Sequence, residues 1–214
     1  MTTDTDHGAD SPPESPAAAG PGLQRYRWPA VEMLVSGAIG LVAAFVLSID
    51  AVELAANPDA VFSCDLSAKI SCGTVGSSWQ ASVFGFPNSF LGLAAEPVVI
   101  TLATALLAWG GRVLFPRWFM LAAQAVYTIG LVLAYWLFYE AYFVIGALCP
   151  WCMTVTVTTL LVWMSLTRIN LLEGNLGATA QRALETPVRV YKADLILTVL
   201  ILAVVAAMVV NGYL

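Results

Sequence analysis

Four cysteines, Cys64, Cys72, Cys149 and Cys152, are the residues of this sequence best suited to chemistry. Cys149-Pro-Trp-Cys152 is a C-x-x-C pair at the start of an apolar stretch. Proline is tolerated in the first turn of a helix, where its missing N–H has no intrahelical partner to lose. The unpaired N–H groups and the positive end of the helix dipole stabilise a thiolate there, the species that attacks or leaves in thiol exchange. Two other readings stay open: an inert disulfide closing the helix end, or half of a four-thiolate metal site. A single histidine, His7, lies in a polar stretch near the start, which removes histidine triads, histidine-ligated metals and haem ligation.

The second pair, Cys64-x7-Cys72, sits among Asp65, Ser67, Lys69 and Ser71. Its spacing departs from that of common zinc knuckles, which weakens the metal reading. Alone, such a pair in an outer loop reads as structural. Beside a second pair on the same side of a membrane, it reads as one half of a relay that receives electrons at the loop and releases them at the helix.

Both pairs must be positioned by membrane helices. Of 214 residues, 59% are hydrophobic and 11% charged, against about 45–50% and about 25% in an ordinary soluble domain. The apolar residues fall into blocks predicting spanning helices at 29–49, 88–109, 118–140, 149–167 and 194–212, each near the roughly 20 residues needed to cross the hydrocarbon. The expected fold class is an all-α integral membrane protein: a four-helix transmembrane bundle with an outer loop or short interfacial helix, plus a fifth transmembrane helix. Residues 1–27 read as a disordered cytoplasmic tail, rich in Pro, Gly and small polar residues. Residues 28–168 form the expected core, with an outer cysteine loop at 50–87. A cytoplasmic linker spans 169–193 and the fifth helix 194–214. The net charge of −5 offers no basic face for nucleic acid.

Orientation follows from the bases. With a cytoplasmic N-terminus, every Lys and Arg except Lys69 falls on the cytoplasmic side. All four thiols then share the outer side, where disulfides persist. The stretch Thr74 to Pro87, with Val75, Trp79, Val83, Phe84 and Phe86, fits either a short interfacial helix over the bundle mouth or a segment that dips into lipid. Glu96, inside the second helix, fits either a proton route or a buried protonated acid bonded to Ser or Thr. No dinucleotide fingerprint or membrane histidine is present, so a lipid-soluble quinone remains, by elimination, as the two-electron acceptor.

The run Cys64-Asp-Leu-Ser-Ala-Lys-Ile-Ser-Cys72, then Ser78-Trp79, Phe86-Pro87-Asn88-Ser89 and Cys149-Pro-Trp-Cys152, resembles the vitamin K epoxide reductase family in its bacterial branch, over about residues 29–168. The order of the pairs is opposite to that of the DsbB-type oxidases. The resemblance implies an enzyme, a quinone-dependent thiol–disulfide oxidoreductase of the cell membrane (inner or plasma), supporting disulfide formation. Cys64 would form the mixed disulfide with a thioredoxin-like, DsbA-type partner, and Cys72 would resolve it. Cys72 would then attack the Cys149–Cys152 disulfide at Cys149, freeing Cys152 to reduce the quinone, menaquinone or ubiquinone. Asn88 matches the asparagine that binds a quinone oxygen, and Ser78 the hydroxyl residue near its ring. Read from the residues alone, Asn88 is a helix N-cap and Ser78 an ordinary loop hydroxyl. Thr156 stands where the animal enzymes carry a substrate-contacting tyrosine, which argues against activity on vitamin K epoxide. Without a fused thioredoxin-like domain, the partner is expected to be a separate protein. Two further alternatives are a metal-binding membrane protein and a non-catalytic scaffold with two structural disulfides.

Overall fold

A computed structural model describes residues 21–109, 115–179, 182–184 and 192–213. Residues 1–20 of the expected tail and most of residues 180–191 of the expected linker lie outside them. Among the described residues, the α-helices that position the site are α1 (Pro21–Ala56), α2 (Cys72–Gly76), α3 (Ser89–Ala108), α4 (Arg117–Glu140), α5 (Pro150–Leu172) and α6 (Ala193–Tyr213). Five of them, all but α2, are long and apolar enough to cross a membrane. Their order and approximate positions agree with the hydropathy reading. Most boundaries agree to within one residue, and three differ by more. α1 begins at Pro21, within the expected tail, and continues to Ala56 instead of ending at 49. α5 runs to Leu172, four residues into the expected linker. The last turns of α1 and α5 carry polar residues such as Asp50, Glu53 and Asn170, so a hydropathy window stops before the hydrogen-bonded helix does.

α5 is the most enclosed of the long helices and α6 the least. α1 packs against α3 and α5, and α4 packs against α5. The half of the bundle away from the cysteines is filled by Met33, Leu106, Met120, Val162, Leu166 and Ile169 with their neighbours. Small residues set the spacing. A Cβ built on Gly92 of α3 would meet the Ala44 Cβ of α1 at 2.8 Å, and one on Gly40 would meet the Glu96 carboxylate at 2.8 Å. Helices in lipid associate through such close packing, because burial of apolar surface gives little net drive there.

Glu96 is buried between these helices, and Tyr127 Oη donates to its Oε2 at 3.0 Å. Its partner is thus a tyrosine of α4 and not the serine or threonine hydroxyl of one of the two readings from sequence. Beyond α4 the chain continues into one wider turn with π-type bonding, Ala141–Ile145, closed by Gly146 at φ +73°. That turn carries the chain back to the start of α5.

Candidate functional site

The four cysteines form one cluster at one end of the bundle. Cys64 and Cys72 are joined by a disulfide, with Cα atoms 5.7 Å apart, while Cys149 and Cys152 are free thiols. Cys149 Sγ lies 3.4 Å from Cys72 Sγ. Cys64, Cys72 and Cys149 are all buried, among Phe62, Leu47, Leu54, Val75 and Trp151, and Cys152 is half-buried against them.

Local chemistry explains each placement. Cys149 is the N-cap of α5, with extended backbone (φ −100°, ψ 122°) and Pro150 in the first turn. The Cys152 backbone N–H donates to Cys149 Sγ at 3.3 Å, so the unpaired donors of the helix start act on Cys149. The hydrogen bond from the Cys152 side chain, helped by the N–H groups of Cys152 and Trp151, holds the Cys149 thiol below the ordinary cysteine range, against the upward push of burial and of Asp50.

On the loop side, Ser71 caps α2 by accepting from Thr74 N–H at 3.0 Å, which places Cys72 in the first turn. Asp65 organises the loop. Its carboxylate accepts from Phe62 N–H (2.7 Å), Gly73 N–H (2.9 Å) and Ser71 Oγ (2.8 Å). Burial pushes this carboxyl up, but the backbone donors of Phe62, Gly73 and Cys72 and the Ser71 hydroxyl together outweigh it and hold Asp65 below the usual aspartate range. Two backbone bonds then fasten the two cysteine segments together: Ser71 N–H to Leu148 O (3.0 Å) and Leu148 N–H to Lys69 O (2.9 Å). The organising parts of Asp65 and Leu148 are not evident from sequence. Asp65 carries a signal, as an aspartate beside a cysteine in a turn-rich stretch, whereas Leu148 shows its part only through its backbone.

The other expected site residues lie on the connection from α2 to α3. Ser78 Oγ donates to Val75 O (2.6 Å) at the start of the short 3₁₀ turn Trp79–Ser82. Asn88 precedes α3 but makes no side-chain cap. Its Nδ2 donates to Gln80 O at 2.7 Å, and its Oδ1 is buried with no partner. The N-cap reading of Asn88 is therefore corrected, because the amide is engaged sideways by the 3₁₀ turn. Gln80, buried, donates in turn to Glu140 Oε2 at 3.1 Å. Trp79, Phe84 and Phe86 are exposed apolar side chains on this connection, as an interfacial segment requires.

The alternatives raised by the sequence fare differently. A four-thiolate metal site needs four free sulfurs, and two of them are joined here. Asp50 brings a carboxylate oxygen within 4.8 Å of both disulfide sulfurs, which as a disulfide are not thiolate ligands. A scaffold with two structural disulfides conflicts with the free thiols of Cys149 and Cys152. An apolar groove of about 420 Å³ between α1 and α3, lined by Phe45, Ile49, Phe90 and Leu93, touches none of the cysteines, Ser78 or Asn88.

The family model described as vitamin K epoxide reductase family matches residues 31–167. The chain belongs to the vitamin K epoxide reductase family. It is a membrane redox protein of that family, a thiol–disulfide oxidoreductase with its cysteines gathered at one site. The matched residues contain all four cysteines, Ser78 and Asn88, and leave α6 outside. No curated protein matches the chain.

Proposed function

We propose that this vitamin K epoxide reductase homologue oxidises the dithiol of a separate thioredoxin-like, DsbA-type protein and passes two electrons to a membrane quinone, menaquinone or ubiquinone. The observation that carries the reading is the 3.4 Å separation of Cys72 Sγ and Cys149 Sγ, a near-attack distance for sulfur exchange. The distribution of basic residues supports a cytoplasmic N-terminus with the cysteine end of the bundle outside. Residues 28–168 would be the catalytic core, preceded by a cytoplasmic tail. In the chemistry that follows, Cys64, Cys72, Cys149 and Cys152 are the catalytic residues.

A partner thiolate attacks Cys64, forming a mixed disulfide and releasing Cys72 as a thiolate. The partner's second thiol closes its own disulfide and leaves Cys64 reduced. For electron flow in this direction Cys72 is thus the leaving group, and the resolving thiol belongs to the partner. Cys72 attacks the Cys149–Cys152 disulfide at Cys149, forming a Cys72–Cys149 bond and freeing Cys152. Cys64 then attacks Cys72, restoring the loop disulfide and releasing Cys149. The loop pair has been reoxidised and the helix pair holds two electrons and two protons. The arrangement described above, with the loop disulfide closed and both helix thiols free, matches that stage.

A quinone bound at this end would take up those two electrons and two protons and leave as a quinol. The chain's own residues suit such a ligand. The unpartnered Asn88 Oδ1 is buried and would accept from a quinol hydroxyl once a ligand displaces the groups that cover it, and a rotated amide would donate to a quinone carbonyl. Ser78, turned toward Val75 O, would have to rotate to reach a ring. Thr156 back-bonds to Cys152 O at 3.0 Å and lends no phenol to the site.

The test is reconstitution of the reduced protein with quinone and a reduced thioredoxin-like partner, following quinone absorbance. Cys152→Ala is expected to abolish quinone reduction, while Cys64→Ala still oxidises a small dithiol through Cys149 and Cys152. Quinone reduction by Cys152→Ala at the wild-type rate would overturn the proposal.

A further inference from the structure

The outer end of α6, beyond the family match, reaches both cysteine segments. Lys69 Nζ, on the loop between Cys64 and Cys72, donates to Gly212 O at 3.1 Å and stands 6.0 Å above the Tyr213 ring. Tyr213 Oη donates to Tyr142 O at 3.2 Å, and Tyr142 Oη donates to Met208 O at 3.2 Å, so the wide turn leading to Cys149 is tied to α6 from both sides. The Tyr142 and Tyr213 rings pack 5.3 Å apart, and a Cβ on Gly212 would meet Tyr142 Oη at 2.6 Å. At the other end, Arg168 of α5 pairs with Asp194 of α6 at 3.0 Å. α6 is thereby pinned at both ends, although it is the least enclosed of the long helices and buries Val205 between those ends.

We propose that the outer end of α6 is a brace that sets the register between Cys72 and Cys149, with Lys69 and Tyr213 as positioning residues. Lys69 joins the two cysteine segments to the helix. Its carbonyl accepts from Leu148 N–H, one residue before Cys149, while its ammonium is held by α6. Three residues on, Cys72 starts α2. A shift of Lys69 moves Cys72 and loosens the strand-like contact between Ile70 and Leu148 together. An effective concentration between two thiols depends on such orientation more than on their chemistry. The inference rests on the relay reading, because it assigns the brace to the exchange step of that relay.

The test uses the full-length chain carrying Cys64→Ser and Cys152→Ser, in lipid, equilibrated with glutathione redox buffers. The equilibrium constant for the Cys72–Cys149 disulfide is read by mass spectrometry. Adding Lys69→Met, or separately Tyr213→Phe, is expected to lower that constant about threefold, the effect of one lost hydrogen bond at an exposed or half-buried position. Lys69→Arg should restore most of it, and thermal unfolding of the variants verifies that they fold. An unchanged constant in both Lys69→Met and Tyr213→Phe overturns the brace and leaves the relay standing. Failure of the parent protein to form any Cys72–Cys149 disulfide overturns the relay, and the brace with it.

Discussion

Cys149 Sγ touches Cys72 Sγ at 3.4 Å while Cys72 remains bonded to Cys64. The contact joins a sulfur of the loop disulfide to a helix thiol 77 residues away. It exists because backbone bonds between Leu148 and the Lys69–Ser71 segment hold the two stretches side by side. A disulfide and a thiol brought together this way need no large movement to exchange.

Cys149 should titrate below an ordinary cysteine, since Cys152 supplies both a side-chain and a backbone hydrogen bond to its sulfur. In the reduced Cys64→Ala/Cys72→Ala protein, ultraviolet thiolate absorbance should show a midpoint below the usual value of about 8.5. Replacing Cys152 with Ala removes the larger cause and should move that midpoint up. A midpoint indifferent to Cys152 would mean that some other group governs the thiol.

Asp65→Asn should loosen the loop without touching a sulfur. The carboxylate is half-buried and partly screened by solvent, so the cost is set at roughly 1 kcal/mol despite its several donors. The sign of the pH effect follows from a folded pKa below the unfolded one. The stabilisation is present above the ordinary aspartate value of about 3.9 and is lost only as pH falls through the lower folded value. Thermal unfolding of wild type and variant should therefore differ by a constant amount near neutrality, with the gap closing in acid.

Gly92→Ala and Gly40→Ala distinguish rigid from yielding contacts. The first puts a methyl against the Cβ of Ala44, which cannot move without its helix, and the second meets the far end of Glu96. Overpacking of this kind costs about 1–3 kcal/mol. Gly92→Ala should lie at the upper end and Gly40→Ala below it, as measured by thermal unfolding in detergent. Equal losses would show that the α1–α3 spacing adjusts freely.

Sequence alone made the membrane fold legible, because a weakly charged hydrophobic run of about 20 residues matches the thickness of the hydrocarbon and exceeds most buried core helices. It also brought Cys149 and Cys152 to the start of a helix, through the proline between them. It did not show the 3.4 Å contact, which depends on backbone pairing between Leu148 and Lys69 that side-chain pattern does not encode. Asn88 shows the same limit. Its type and position before α3 fit a cap, but the backbone carbonyl of Gln80 competes for the amide and wins. Glu96 was recognisable as unusual, yet its partner Tyr127 comes from a helix 31 residues away.

The most direct test of the relay is Cys72→Ala, measured against two electron donors. With a reduced thioredoxin-like partner, quinone reduction should cease, because the only thiol in contact with Cys149 from the loop pair is gone. With a small dithiol, quinone reduction through Cys149 and Cys152 should persist. Wild-type rates with the protein partner in Cys72→Ala would contradict the account.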